Sequence, residues 1–507
     1  MTLRVAEAAV ILARMPVAAE RIRVLADLPV RPGGEFVLHW MTSARRVRFN
    51  PALERAAEIA RSAGRPLVVL ESLRVGYPYA SDRLHAFVLE GMAENGRRLA
   101  GRATHHAYVE RAAGEGSGLL EALAARACAV VADDFPTFFL PRMLDAAADR
   151  MRRMGVRLEA VDASCIVPFR LGGKDFPTAY LYRRFLQRNL PAWLDRLPAR
   201  DPLAGRRLPG PRRLPAEITR RWPATARAAL ERPGGLVRAL PVDHGVAPVA
   251  GMTGGTMAAE RRLARWLDEG LPRYAEERNA PDAEGVASGL SPWLHFGHLS
   301  AFEVVTAILR REGWTSPGHG RADGARQGWW GLSASAEAFL DQLVTWRELG
   351  FATAARRPDH REYGSLPAWA RRTLERHARD RRPAIYRRDA LEAAATGDPL
   401  WNAAQRQLLR EGTIHNQLRM LWGKKILEWT RSPREALEIA LDLNDRWALD
   451  GRDPNSCSGI LWCLGRHDRP WGPERPVFGT VRYMSSARMA RKVSVRGYLE
   501  RFGQERG

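Results

Sequence analysis

The first third of the chain alternates short apolar runs with helical patterns, and this alternation limits the possible folds more than any other feature. Buried strands are predicted at residues 36–40, 67–70, 127–132 and 158–161. Between the first two, residues 51–63 place apolar side chains at helical spacing before Gly64. Strands that alternate with helices favour a parallel sheet with helices on both faces. We therefore expect an α/β domain with a parallel sheet over residues 30–195.

Two further parts follow the α/β domain. Residues 196–250 are rich in Pro, Arg and Gly, which is typical of a connector between domains. Over residues 251–500 amphipathic helical patterns dominate, and we expect an all-helical domain there. A length of 507 residues agrees with two domains, because it exceeds what one hydrophobic core usually serves. No G-x-G-x-x-G motif follows the first predicted strand, which argues against a dinucleotide-dependent dehydrogenase.

The charge of the chain favours a polyanionic partner. Lysine and arginine together number 79 against 57 aspartates and glutamates, which gives a net charge of +22. Only Lys174, Lys424, Lys425 and Lys492 are lysine, so nearly all the basic residues are arginine. Such an excess suits nucleic acid, although a biased genome composition would produce the same excess. The arginines of residues 370–388 fit phosphate contacts and a solvated helix face equally well.

Neither a disulfide framework nor a metal site is predicted. The four cysteines form no C-x-x-C pair, and no Cys/His cluster has the spacing of zinc ligands. Glu7 interrupts the apolar run in residues 1–15, so this run does not match a signal peptide. No stretch approaches the ~20 apolar residues of a membrane span. We therefore expect a cytoplasmic protein that does not contact a membrane.

Three segments of the C-terminal half combine side chains that suit a ligand. Trp422 and Trp429 lie seven residues apart on one face of a predicted helix, although such a pair is more often ordinary core packing. Residues 288–297 place two serines and a glycine before a helical run, which fits phosphate binding or a plain helix N-cap. Residues 443–455 mix carboxylates, arginines and turn formers, which fits a capping network or a polar ligand site.

Five strings of the sequence, in their order and at their spacings, resemble the photolyase/cryptochrome flavoproteins, and in particular the class II cyclobutane pyrimidine dimer photolyases. They are SGLSPWLHFGHLS, LVTWREL, LWNAAQ, LRMLWGKKILEWT and LNDRWALDGRDPN. The segments HWMTSARRVRFNPAL and RPVFGTVRYMSS are also similar to that class, so the resemblance covers residues 36–498. It implies a Rossmann-like N-terminal domain followed by an all-helical domain that holds FAD.

The resemblance assigns flavin contacts to two sets of residues. The diphosphate and ribityl chain are implied to contact Tyr274, Ser288, Gly289, Leu290 and Ser291, and the isoalloxazine pocket is implied to be lined by Arg419, Asp450 and Asp453. Arg347 and Gly451 are also implied to bind the cofactor. Asn444 matches the asparagine that faces the reactive nitrogen of the central ring. An amide suits that position because a carboxylate would repel a reduced, anionic flavin. Asp468 and Arg469 resemble the acidic–basic pair that supports this asparagine.

The resemblance also assigns electron transfer and substrate binding. Trp401, Trp422 and Trp429 match the family's electron-transfer tryptophans, a role that suits indole because it is readily oxidised. The pocket for a flipped-out dimer is implied to include Arg278, Asn279, Trp346, Met420 and Trp462, with the two indoles as its walls. Gln342 stands where photolyases carry a glutamate, and it supplies neither a proton nor a charge. Asp341 is adjacent, but on an α-helix it points about 100° away.

Three functions fit these residues. The first is light-dependent repair of cyclobutane pyrimidine dimers in UV-damaged DNA, by a monomer with reduced FAD and no obligate protein partner. The second is a cryptochrome-like blue-light photoreceptor with weak or no repair, which Gln342 favours. The third, a light-independent nucleic-acid-binding protein, disagrees with the filled flavin and tryptophan positions. The family also implies an antenna chromophore, a deazaflavin or a folate, for which the sequence identifies no binding residue.

Overall fold

The computed structural model describes residues 16–205, 207–314 and 319–504, so the apolar run of residues 1–15 lies outside the described part. The N-terminal part holds a sheet of six strands, β1 (Ile22–Ala26), β2 (Phe36–Met41), β3 (Leu67–Leu73), β4 (Thr104–Val109), β5 (Ala127–Asp133) and β6 (Arg157–Val161). The strand order is β1-β6-β5-β2-β3-β4, and every neighbouring pair is parallel except β1 with β6. The expected α/β fold with a mostly parallel sheet is confirmed.

The two edge strands of the sheet were not predicted from the sequence. All residues of the central strands β2 and β5 are buried, and these strands therefore read as continuous apolar runs. The edge strand β1 is largely half-buried or exposed, and β4 begins with three polar residues, THH. Edge strands need fewer apolar residues because one side of the strand has no neighbour, so their sequence signal is weak.

The helices of the first domain are α1 (Pro51–Ala63), α2 (Asp82–Leu99), α3 (Leu119–Ala124), α4 (Leu140–Met154) and α5 (Ala179–Leu194). Helix α1 shows why its bounds could be predicted. The side chain of Asn50 accepts hydrogen bonds from the backbone N–H groups of Ala52 and Leu53, and Pro51 fills the first helical position. Gly64 ends the helix in the left-handed conformation, with φ of 62°.

The segment between the domains is packed against the first domain. It contains the short helices α6 (Ala216–Arg221), α7 (Arg227–Glu231) and α8 (Pro233–Arg238). Ile218 and Trp222 are buried in the apolar core on one face of the sheet, and the Trp222 indole donates a hydrogen bond to the Glu115 carbonyl. The Pro/Arg-rich composition therefore describes a segment with buried anchors, not a freely solvated tether.

The second part of the chain is helical, as expected. Its helices are α9 (Thr256–Glu269), α10 (Tyr274–Glu277), α11 (Ser291–His295), α12 (Ala301–Arg311), α13 (Ala334–Leu340), α14 (Arg347–Arg356), α15 (Ala368–Arg376), α16 (Arg388–Glu392), α17 (Pro399–Glu411), α18 (Asn416–Trp429), α19 (Pro433–Trp447), α20 (Pro454–Trp462), α21 (Ser486–Lys492) and α22 (Arg496–Phe502). Within the described ranges, none of the helices combines the length and apolarity that crossing a membrane requires.

A buried carboxyl group joins the two domains. Glu348 of α14 accepts hydrogen bonds from the backbone N–H groups of Ile166 and Val167, at 2.6 Å and 3.3 Å, in the segment that follows β6. Its side chain is fully buried, and burial raises the pKa of Glu348 to about 8. This contact fixes α14, and the helical segment before it, against the α/β domain.

Candidate functional site

A turn of π-helix, Asp341–Trp346, carries two of the residues expected to bind substrate. It lies between α13 and α14, and such turns inside α-helices occur frequently at functional sites. Gln342 and Trp346 are half-buried, whereas the four other residues of the turn are buried. The turn therefore presents the expected pair on its accessible side.

The two side chains at the start of this turn differ in their availability. The Asp341 carboxylate accepts a hydrogen bond from Nε of Arg183 at 2.8 Å, and both groups are buried. Among the residues that the structure describes, the side-chain amide of Gln342 has no hydrogen-bonding partner. The amide is thus free for a ligand, while the neighbouring carboxylate is engaged by Arg183.

The other expected substrate contacts lie on neighbouring elements. The Sγ atom of Cys463, adjacent to Trp462, is 3.7 Å from the backbone carbonyl of Met420, which brings the end of α20 against α18. Asn279 accepts a hydrogen bond from the Gln417 amide at 2.7 Å. The guanidinium of Arg278 lies 5.7 Å from the Tyr274 ring centroid. The four expected contacts, Arg278, Asn279, Met420 and Trp462, are all half-buried.

A buried polar cluster joins α18, α19 and α20. The Nη2 atom of Arg419 contacts both carboxylate oxygens of Asp450, at 2.9 Å and 3.2 Å. The Nη1 atom of Arg419 lies 3.4 Å from Oδ1 of Asn444 and 3.2 Å from the hydroxyl of Ser456. The Asn444 amide donates to Ser456 at 3.0 Å and to Asp445 at 3.2 Å. The structure therefore brings three expected flavin contacts, Arg419, Asn444 and Asp450, into direct contact.

The charge state of Asp450 follows from this cluster. Burial would raise its pKa, but the Arg419 guanidinium, with a contribution from the Ser291 hydroxyl, holds the pKa below the usual carboxyl value. His295, on the helix that Ser291 begins, lies 3.3 Å from the carboxylate of Asp453. Ser291, Asp450 and Asp453 thus lie together, and the serine-rich loop meets the polar cluster.

The loop before α11 has a fixed backbone. Arg262 donates hydrogen bonds to the carbonyls of Ala287 and Ser288, and the hydroxyl of Ser288 accepts from the N–H of Leu290 at 3.4 Å. Gly289 has φ of 65°, a conformation that glycine adopts without strain. Ser288 and Ser291 are half-buried, so both residues remain accessible to a ligand.

Three buried tryptophans form a continuous row of rings. Trp401 of α17 lies parallel to Trp422 of α18, with ring centroids 6.4 Å apart and an interplanar angle of 2°. Trp401 also meets Trp429 edge-on, at 5.5 Å and 72°. The indole N–H of Trp401 donates to the backbone carbonyl of Trp422 at 3.0 Å. Trp422 is one helical turn from Arg419, so the row begins beside the polar cluster.

Comparison with known proteins identifies the family. The family model described as DNA photolyase matches residues 37–202. A deoxyribodipyrimidine photo-lyase of Methanothermobacter thermautotrophicus is 33% identical over 492 residues, which cover 95% of this chain and 98% of that protein. The chain belongs to the DNA photolyase family. A second photolyase, from Oryza sativa, is 33% identical over 491 residues and covers 94% of this chain and 89% of its own length.

Solved structures share the photolyase fold. A class III photolyase from Agrobacterium tumefaciens aligns with a TM-score of 0.62 and 18% identity, over 92% of this chain and 86% of that chain. A cryptochrome from Synechocystis aligns with a TM-score of 0.63 and 15% identity, over 92% of this chain and 88% of that chain. At these identities the two structures support the fold alone.

FAD is characteristic of the photolyase family, and the side chains of this photolyase fit it. Arg419 and Asn444 provide buried donors and an acceptor that suit the polar edge of a flavin ring. The loop hydroxyls and Gly289 suit phosphate oxygens. The ring of Tyr274 is held edge-on by Trp266 and Phe339, with centroids 5.9 Å and 5.3 Å away.

Two expected flavin contacts lie outside the Arg419 cluster. Arg347 donates to the Ser164 carbonyl at 2.9 Å and stacks on Phe351, so the structure places its guanidinium against the α/β domain. At Gly451 a Cβ atom would lie 2.6 Å from the Asn444 carbonyl oxygen, so this glycine permits close backbone packing. Neither residue lies among the side chains of the Arg419 cluster.

The expected support of Asn444 by Asp468 and Arg469 was wrong. Asp468 accepts a hydrogen bond from the Trp471 indole at 3.1 Å, and the guanidinium of Arg469 lies 4.3 Å from the Trp471 ring centroid. Asn444 is held instead by Ser456, Asp445 and Arg419, as described above. Sequence reasoning missed Ser456 because a serine near the start of a helix is common and carries no distinct signal.

A pocket lies at the carboxyl ends of β2, β3 and β5, where parallel sheets of this topology bind ligands. It is lined by basic and aromatic side chains, among them Arg45, Arg74, Tyr77, Phe138, Phe139 and Arg452. Asp133 accepts hydrogen bonds from the three successive N–H groups of residues 42–44, at 2.7–2.9 Å, and fixes the end of β2. Aliphatic side chains such as Leu84 and Met143 complete the lining, so the pocket suits a flat, largely apolar molecule that carries a polar group.

Proposed function

We propose that this photolyase repairs cyclobutane pyrimidine dimers in UV-damaged DNA, as a monomer, with light and reduced FAD. One observation carries the proposal. The buried cluster around Arg419 shares α18 with two tryptophans of the row, and Met420 on the same helix contacts the end of α20 beside Trp462. This arrangement suits a flavin that receives electrons from the row and meets a substrate in the neighbouring pocket.

The chemistry requires no net oxidation or reduction. When bound, reduced FAD supplies one electron on excitation by blue light, two carbon–carbon bonds of the cyclobutane ring break, and the electron returns. The protein provides the geometry for this exchange. Arg419 and Asp450 neutralise each other, so the cluster presents directed hydrogen bonds without a net charge.

Substrate binding relies on aromatic walls and on the positive surface. A dimer has lost good stacking and so leaves the duplex at low cost, and Trp346 and Trp462 offer indole faces to receive it. The arginine excess supplies phosphate contacts, which give most of the affinity for DNA.

Irradiation of the reduced protein with dimer-containing DNA tests the proposal. We expect restored thymine from the parent protein, and a several-fold larger yield from Gln342→Glu, because a carboxyl group supplies the proton or charge that the amide lacks. Gln342→Ala is the matched control and should fall below the parent. Absence of thymine from both the parent and Gln342→Glu would contradict repair.

A blue-light photoreceptor is the second candidate, and the neutral Gln342 favours it. The same tryptophan row would serve a photoreceptor, because photoreduction of the flavin is then the signal itself. Normal photoreduction without repair, in the parent and in Gln342→Glu, would select this function.

We also propose that the pocket at the carboxyl ends of β2, β3 and β5 holds an antenna chromophore. Three arginines and five Phe or Tyr rings suit a flat chromophore with a negative charge, such as a deazaflavin or a folate. The pocket lies between the domains, since His295 and Phe296 of the helical domain complete its wall.

A bulky side chain in this pocket should exclude the chromophore. For Ser72→Trp we expect the affinity for an added deazaflavin or folate to fall about tenfold or more, because the indole occupies the ligand's volume. The exposed Ser117 provides the control Ser117→Trp, which should bind like the parent. The measurement is the absorbance of the bound chromophore after gel filtration. Equal binding by Ser72→Trp would show that the site lies elsewhere.

A further inference from the structure

Lys424 is a buried lysine whose charge is not neutralised. Its side chain is 0% exposed, and Nζ has neither a hydrogen bond nor an ion pair among the described residues. Nζ lies 5.1 Å from the ring centroid of Trp462, a residue of the proposed dimer pocket. Burying an ammonium group without a partner is unfavourable, so this lysine is kept at a cost in stability.

The next residue of α18 provides a direct comparison. Nζ of Lys425 also lies 5.1 Å from an indole, that of Trp429. However, Lys425 has carboxylate partners, with Glu428 at 2.7 Å and Asp398 at 3.7 Å. Lys424 thus contacts a tryptophan of the proposed dimer pocket, and Lys425 contacts a tryptophan of the row. Of these two lysines, only Lys424 has no carboxylate partner.

The choice of lysine is itself informative in this chain. Only four of its 79 basic residues are lysine, yet position 424 has one. Burial lowers the pKa of Lys424 to about 8, while Cys463 and Asp468 act to raise it and Arg482 to lower it. An arginine would stay charged at every pH of interest and would need more space and more acceptors.

We propose that Lys424 is a positioning residue of the dimer pocket, which holds the indole of Trp462 and makes that wall electropositive. The inference rests on the proposed function. Positive charge at this wall favours a dimer that carries one extra electron, which the neutral Gln342 does not do. Arg482 is also near this indole, at 5.7 Å, but it is exposed, so solvent screens its charge. Lys424 neither gains nor loses a proton or an electron in the cycle.

The first test is made in the dark and does not depend on repair. Selective ¹³C labelling of lysine gives four side-chain signals, and the variant Lys424→Met identifies that of Lys424. We expect a duplex with one thymine dimer to shift the Lys424 signal, whereas the same duplex without damage does not. The signal of Lys425 should respond equally to both duplexes. Equal responses of Lys424 to the two duplexes would overturn the proposal.

The second test measures repair per absorbed photon. For Lys424→Met we expect a loss of about fivefold to thirtyfold, the range of one cation–π contact from half-exposed to desolvated, while Lys425→Met stays near the parent. Repair by the parent should decline between pH 7 and pH 9 as the ammonium loses its proton, and the ratio of parent to Lys424→Met should approach one. A ratio that does not change with pH would contradict the proposal.

A failure of the proposal for Lys424 can be distinguished from a failure of the proposed function. Lys424→Met removes an unpaired buried charge, so it should fold and unfold about 2–4 °C above the parent, with unchanged photoreduction. If the parent repairs no dimer, the proposed function fails, and the dimer-specific shift in the dark still decides the role of Lys424. If the parent repairs and Lys424→Met repairs equally well, the function stands and the proposal for Lys424 falls.

Discussion

Trp401→Phe is expected to slow light-driven reduction of the bound flavin by roughly an order of magnitude or more. Trp401 is the middle ring of the row, with contacts to Trp422 at 6.4 Å and to Trp429 at 5.5 Å. Phenylalanine preserves the apolar packing but is far harder to oxidise than indole, so the row is interrupted at its centre. The measurement is the loss of oxidised-flavin absorbance under blue light with an external donor.

A matched control separates this effect from a general loss of tryptophan. Trp329 is also buried, at 3% exposure, and its indole contacts Trp330 and His319, outside the row. Trp329→Phe should therefore photoreduce at the rate of the parent. Chemically reduced Trp401→Phe should also repair dimers normally, because repair begins from reduced FAD. Photoreduction of Trp401→Phe at the parent's rate would show that electrons reach the flavin by another route.

The second large effect is expected for Asp450→Asn, which should be purified with little or no flavin. The substitution keeps the shape of the side chain but leaves the Arg419 guanidinium, whose side chain is 11% exposed, without its charged partner. Breaking a buried ion pair on one side costs about 3–5 kcal/mol, so we also expect a lower melting temperature. The measurements are flavin absorbance per protein and thermal unfolding.

The pH dependence of this variant follows from the direction of the pKa shift. Arg419 holds the pKa of Asp450 below the usual carboxyl value, so the pair stabilises the fold at neutral pH. That contribution is lost as the pH falls through the lowered pKa, and the parent and Asp450→Asn should converge in acid. The exposed pair of Arg496 and Glu500 offers the control Glu500→Gln, which should change neither flavin content nor melting. A flavin-loaded Asp450→Asn would contradict the assigned role of the pair.

The predictability of the fold depended on burial. Central strands such as β2 are covered on both faces, so their apolar runs identified them, and the capping residues of α1 identified that helix. The edge strands gave no comparable signal, because Arg23 interrupts the short apolar run of β1 and polar residues begin β4.

The predictability of the site was uneven for a different reason. Arg419, Asn444 and Asp450, which the motifs assigned to the flavin, lie in one cluster, although they come from α18, from α19 and from the turn between α19 and α20. Motifs did not show which way Arg347 points, since its partner, the Ser164 carbonyl, comes from the other domain. Lys424 carried no signal in the sequence, because an uncompensated charge becomes apparent only when its surroundings are known.

In the π-helical turn at Asp341–Trp346 the backbone geometry does not depend on which side chain occupies position 342. A wider turn is what one extra residue produces when it is inserted into an α-helix, and the backbone keeps that geometry whatever the side chain at the accessible position. Gln342→Glu should therefore change the chemistry of this position without moving its backbone. The same property makes position 342 a natural place for protein engineers to install new acid, base or reporter groups, including unnatural amino acids.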